Sequence, residues 1–191
     1  DKRLQEYRES IEALIDHGGR KFVVINVDDA GKAPFYTFLD PVRATEYARY
    51  FNQGLKEVVH QVTGEAESVE VLLFDLNQFL DSDGGVRARY VEYGFRDIVN
   101  PCKTGGYFVP LNQDKIDHYV QETRRIDGDM VADGIAGNAF QQRYFKTLPV
   151  CSEDLADKWF YHDALHWSER THRLIANELY LRINRFFGPA E

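Results

Sequence analysis

Near the end of the chain a carboxylate and an imidazole stand three residues apart, Asp163 and His166, inside the stretch 159–176. That stretch reads Trp-Phe-Tyr-His-Asp-Ala-Leu-His-Trp-Ser-Glu-Arg-Thr-His-Arg-Leu-Ile-Ala. An acid held beside an imidazole can fix the ring's tautomer and stabilise its protonated form, so that the ring can take a proton from a nucleophile. The same spacing also arises where a carboxylate faces a helix N-terminus next to a packed ring. Three features favour chemistry: the pair lies between an aromatic run and a helix that Ser168 can cap, it follows two strand-like segments, and its acid precedes its base. A matching nucleophile is missing. Ser10 falls in a helix, Ser82 in an acidic turn and Ser168 at a helix start, and none has the small-residue strand-to-helix elbow of an activated serine.

A metal site competes for the same residues, because His162 and His166 are four apart with Asp163, Glu169 and His172 nearby. On a continuous helix the two histidines would share a face. Ser168 marks the helix start, which leaves both in the preceding loop, and no glutamate base lies between them; neither a metal nor another cofactor is expected. His17, His60 and His118 fall on helix ends or loops and read as solvated. Lys103-Thr-Gly-Gly106 lacks the strand-loop-helix setting and full spacing of a phosphate loop and reads as a turn.

The elements that must position the pair are partly periodic. Leu4, Tyr7, Ile11, Leu14 and Ile15 recur at helical spacing, and Gly18-Gly19 follow where a left-handed cap belongs. The run 22–27 is apolar at nearly every position and β-branched, as a strand covered on both faces of a parallel sheet should be. Residues 28–34 form a loop at its C-terminal end, the edge that carries ligands in open α/β sheets. Asp40-Pro41 then opens a helix whose face is Tyr47, Phe51, Leu55, Val58, Val59 and Val62, ending at Thr63-Gly64. A second buried strand spans 69–76, and a short helix or irregular connection starts at Asn77. Residues 81–110, rich in Gly, Asp and aromatics, read as a structured loop. Residues 112–145 read as a helix plus loop, more simply a surface insertion than a lid. The closing helix starts at Ser168 with a core face of Leu174, Ile175, Leu179, Ile183 and Phe186.

Helix, strand, helix, strand with short joints is the grammar of a doubly wound α/β fold with a parallel sheet. Two strands make a poor sheet, since both edges would stay unpaired, so strands belonging before Asp1 are expected to be absent from this chain. The 191 residues can bury one core, giving a single domain or a large part of one. A net charge of -8 argues against nucleic acid and anionic lipid headgroups as partners. No apolar run approaches the roughly 20 residues of a membrane helix. A first residue of Asp, in an amphipathic rather than leader-like segment, suggests that upstream sequence was removed or that the chain is a piece of a longer one. The cysteines, Cys102 and Cys151, lie in no zinc-type spacing; a disulfide and two unrelated thiols are both open.

The stretch 161–176 resembles the final conserved block of the GDSL-type (SGNH) lipases and esterases, which runs Asp-x-x-His-Pro-Thr and then a His-x-Leu-Ile-Ala-like helix. Trp167 and Ser168 stand where that block has Pro-Thr. The resemblance covers nearly the whole chain: Gly-Gly-Arg-Lys-Phe-Val-Val, the loop with Pro34, Phe51-Asn52-x-x-Leu55, the strand into Phe74-Asp75, and Tyr93-Gly94-Phe95 before Pro101-Cys102 are similar to the second part of plant and fungal members.

The resemblance implies a flavodoxin-like three-layer α/β/α fold with a parallel sheet, of which residues 1–191 are the C-terminal part of a single domain. It implies an ester hydrolase with a Ser-His-Asp triad, to which this chain supplies Asp163 and His166. The family's serine lies in a Gly-Asp-Ser block near the N-terminus, and a Gly and an Asn from later blocks complete its oxyanion hole. None has a counterpart here, so the chain alone is expected to be inactive. Its N-terminal segment would come from the same polypeptide or from a separate chain. Lipid, aryl and acetylated-sugar esters all fit as substrates. The positions of Cys102 and Cys151 match a cysteine pair of plant and fungal relatives, which implies a disulfide and a secreted, extracellular protein. The opposing expectation is a non-catalytic SGNH-like binding or interaction module that retains the Asp-His pair as a remnant.

Overall fold

The computed structural model describes residues 2–36, 40–66, 68–104, 148–149 and 151–188, together with Asp117, Val120, Gln121, Arg124 and Arg125. Its organising pair is β1 (Lys21–Ile25) and β2 (Glu70–Phe74), which run parallel in the register Lys21↔Glu70 to Ile25↔Phe74. The connection is a right-sized crossover through α2 (Pro41–Glu65), as parallel pairing requires. The helix starts as its sequence dictates: the Asp40 carboxylate accepts from Arg43 N–H at 2.9 Å, and Pro41 occupies the first turn, where no donor is lost. Helix α1 (Lys2–Asp16) ends on Gly18, whose φ of +94° only glycine adopts without strain, with Gly19 N–H bonding back to Leu14 O at 2.8 Å.

Side chains alternate across the strand pair, so its two faces feed two cores. Val24, Val71 and Leu73 join Ile11 of α1 and Leu55, Val58, Val59 and Val62 of α2 in one. Phe74 enters the other, with Leu76, Leu80, Val86, Phe95, Phe160 and Tyr161. Leu174, Ile175 and Leu179 of the closing helix α4 (Glu169–Phe187) pack against that second core. Phe186, expected on the same face, is instead half exposed. Each fully buried large side chain, such as Leu55 or Phe160, contributes about 1.5–3 kcal/mol through the water it sheds.

The expectation that β1 is covered on both faces holds for one face only. Val23, Ile25 and the following Val27 are each 39–40% exposed, because α4 lies over β2 and leaves that strip of β1 uncovered. The strand expected over 69–76 is shorter, since Asp75 caps a helix at once: its side chain accepts from Gln78 N–H at 2.9 Å and α3 runs Leu76–Asp81.

The structured loop expected over 81–110 contains strands. β3 (Asp97–Pro101) pairs parallel with β6 (Trp159–Tyr161), and β4 (Lys103–Thr104) pairs antiparallel with β5 (Leu148–Pro149). Before β3, Gly94 turns at φ +79° and delivers Phe95 into the core, its ring centroid 5.5 Å from that of Phe160. The helix plus loop expected over 112–145 lies outside the described residues, apart from Asp117, Val120, Gln121, Arg124 and Arg125, which are helical. No described helix is long and apolar enough to cross a membrane.

Candidate active site

Both stems of the segment that carries Asp163 and His166 are pinned. On the incoming side β6 pairs with β3, and Cys102 N–H bonds Tyr161 O at 3.0 Å while Lys103 N–H bonds His162 O at 2.8 Å. On the outgoing side Ser168 N–H and the Thr171 hydroxyl both reach Phe160 O, each at 2.9 Å. Ser168 is buried and caps α4, its Oγ accepting from Thr171 N–H at 3.4 Å. Its role is the one its position predicts.

Between those stems residues 162–166 close on themselves. His162 N–H bonds His166 O at 2.8 Å, and Asp163 Oδ1 accepts from the backbone of Leu165 at 2.9 Å and of His166 at 2.8 Å. An aspartate that binds amides two and three residues on forms its own local turn, so the carboxylate is fixed by the residues it serves. His166 Nδ1 then lies 2.9 Å from Asp163 Oδ1 and 2.8 Å from Oδ2. Since a carboxylate only accepts, Nδ1 carries the proton and donates it, which leaves Nε2 as the basic nitrogen of the neutral ring. Asp163 is 7% exposed, whereas the His166 side chain is 49% exposed. A sheltered acid behind an accessible ring is the arrangement that lets an imidazole accept a proton from a group outside and have the resulting charge stabilised from behind.

His172 Nδ1 lies 3.0 Å from Ser168 O, its ring edge-on to Trp167. A third support comes from the loop after β1: Phe35 N–H bonds Ala164 O at 2.9 Å. The cysteines form a disulfide with Cα atoms 5.0 Å apart, and Cys151 N–H bonds Cys102 O at 3.0 Å, so the cross-link abuts the strand that holds His162. Of Lys103-Thr-Gly-Gly106, the first two residues belong to β4.

Beyond the pair, the chain matches the family described as GDSL-like lipase/acylhydrolase over residues 1–179. The chain belongs to that GDSL family. It is 27% identical over 118 residues to a GDSL esterase/lipase of Arabidopsis thaliana, an alignment covering 56% of this chain and 31% of the relative. The chain thus spans about a third of the length of the curated relative it matches.

The GDSL chain also holds polar residues whose roles its sequence did not disclose. Asn52, on the apolar face of α2, clamps the backbone just after β1: its Oδ1 accepts from Val27 N–H at 2.9 Å and its Nδ2 donates to Val27 O at 2.7 Å. A polar residue in register with Leu55 and Val59 was the available signal. Asn26 Nδ2 donates to Asp75 at 2.8 Å, and Asn26 Oδ1 accepts from Asn77 N–H at 3.1 Å, joining the C-terminal ends of both strands. These groups line a polar cleft of about 200 Å³ with Asp29, Thr45 and Lys56.

Proposed function

We propose that this chain supplies the acid-base half of a Ser-His-Asp ester hydrolase. The observation that carries the reading is the double approach of His166 Nδ1 to the Asp163 carboxylate. In the complete enzyme His166 Nε2 takes the serine hydroxyl proton as Oγ attacks the ester carbonyl, and Asp163 stabilises the imidazolium without accepting its proton. The ring returns that proton to the departing alkoxide, leaving an acyl-serine. Water then attacks the acyl-serine, giving one proton to His166, which passes it to the departing serine oxygen as the acid is released.

The serine and the oxyanion donors belong in this reading to a preceding segment, carried on the same polypeptide or as a separate chain. Residues 1–191 are then the C-terminal part of one flavodoxin-like, three-layer domain. Two facts support this: β1 pairs with β2 alone among the described residues, and its strip of Val23, Ile25 and Val27 is uncovered. A strand presenting unpaired edge groups and an apolar face calls for a further strand and helix. The substrate is an ester of lipid, aryl or acetylated-sugar type. The disulfide supports an extracellular setting, where such bonds persist.

The test is p-nitrophenyl ester hydrolysis by the complete parent. His166→Ala is expected to cost at least roughly 10³-fold in kcat and Asp163→Asn a comparable amount, while this chain alone turns over nothing above buffer. Full activity in the His166→Ala parent would overturn the assignment of His166, whereas a folded parent that hydrolyses no ester would favour a binding module instead.

A further inference from the structure

One buried cation joins two supports of the Asp163–His166 loop, the strand that enters it and the segment after β1. Arg87 lies in the turns between α3 and β3, where no periodicity marks it, and is 8% exposed. Its guanidinium donates to both oxygens of Asp28, at 2.9 and 2.7 Å, in the parallel fork geometry that only arginine offers. The same group pairs with Asp81 at 2.8 Å, at the end of α3, and donates to the Tyr161 hydroxyl at 2.7 Å. Its central carbon, Cζ, lies 4.5 Å from the centre of the Phe160 ring. Although burial alone would favour loss of its charge, the bonds to Asp28 hold the proton on Arg87 more firmly than usual, and burial pushes the Tyr161 phenol upward.

These partners all lead to the loop. Tyr161 is two residues before Asp163 and forms a bridge to Trp167, so it borders the loop on both sides. Asp28 opens the segment that ends at Phe35, the donor to Ala164 O. Lys32, midway along that segment, meets Asp81 at 2.6 Å and so adds a second tie between the same segment and α3. Fold stability alone accounts poorly for such a group. Arg87 Nε and Asp81 Oδ2 are buried without hydrogen-bond partners among the described residues, and a buried ion pair is commonly no more stable than apolar side chains of the same volume. What the cluster supplies is geometry: one planar group fixes three elements relative to one another.

We infer that Arg87 is a positioning residue that holds the Asp163–His166 pair in reacting geometry through Tyr161 and the 28–35 segment. This inference rests on the esterase reading for its effect on rate, though not for its effect on the pair itself. Two readouts separate the two. In this chain, the downfield Nδ1 proton resonance of His166 reports its bond to Asp163 whether or not any ester is cleaved. In the complete parent, kcat and KM for a p-nitrophenyl ester report the chemistry.

Arg87→Met, which keeps length and apolar bulk, is expected to melt cooperatively yet shift or lose the His166 resonance. In the parent it should lower kcat roughly 10- to 100-fold with KM within about twofold, the scale of an ångström-level misplacement. Tyr161→Phe removes only the hydroxyl link and serves where the arginine variant fails to fold; a smaller loss of the same kind, roughly threefold or more in kcat, is expected. A folded Arg87→Met or Tyr161→Phe chain with the wild-type resonance, and with kcat unchanged in the parent, would overturn the inference. A changed resonance beside a fully active His166→Ala parent would instead overturn the pair's assignment to the catalytic triad while leaving the positioning role standing.

Discussion

At the scale of single residues, the Asp163–His166 pair was legible because it is local. The carboxylate binds amides two and three positions ahead, so a short loop is enough to bring the acid to the ring. Arg87 and Asn52 were not legible, because their roles exist only once distant segments meet: Arg87 joins residues 59 and 74 positions away, and Asn52 one 25 positions away. Asn52 gives a direct test of what such a contact contributes. Its side chain satisfies both backbone groups of Val27, and removing it leaves a donor and an acceptor in a partly buried site. Asn52→Ala is expected to destabilise the chain by about 1–3 kcal/mol in urea unfolding. A loss below a few tenths of a kcal/mol would mean that solvent replaces the clamp.

Among elements, the periodic ones were readable and the short ones were not. Helices α1 and α2 and strands β1 and β2 carry their patterns over five residues or more, whereas β4, β5 and β6 have two or three residues each and take their shape from partners far along the chain. The junction of β2 and α3 shows how one side chain joins several elements. Burial acts to raise the Asp75 carboxyl, but bonds from Gln78 N–H, Asn26 and Lys56 outweigh it and hold the group below the ordinary carboxylate range. A carboxyl lowered on folding adds stability that is present above its unfolded value, about 4, and disappears as pH falls through its folded value. Asp97, lowered likewise by bonds from Asn100 and Val99 against the effect of burial, acts in the same direction. Melting temperature should therefore fall steeply below about pH 4, and Asp75→Asn should flatten that limb while lowering stability at neutral pH. An acid limb of unchanged slope in the variant would show that Asp75 does not carry it.

For the whole molecule the informative feature is the strip of β1 that α4 does not cover. Most side chains exposed to this degree are unremarkable, but Val23 and Ile25 share one face of a strand paired on one side only among the described residues, and Val27 follows just beyond its end. A run of apolar groups beside open backbone donors and acceptors is a template for another strand. Position 25 distinguishes a solvated strip from one that the complete protein covers. In this chain Ile25→Lys places a charge where 40% of the residue already meets water, so unfolding should change by no more than about 0.5 kcal/mol, and self-association should decrease. If the complete parent covers the strip, the same charge enters an apolar layer without a partner, and the expected cost is about 2 kcal/mol or more. Equal, small effects in the chain and in the parent would mean that the strip stays exposed and that the sheet does not extend beyond β1.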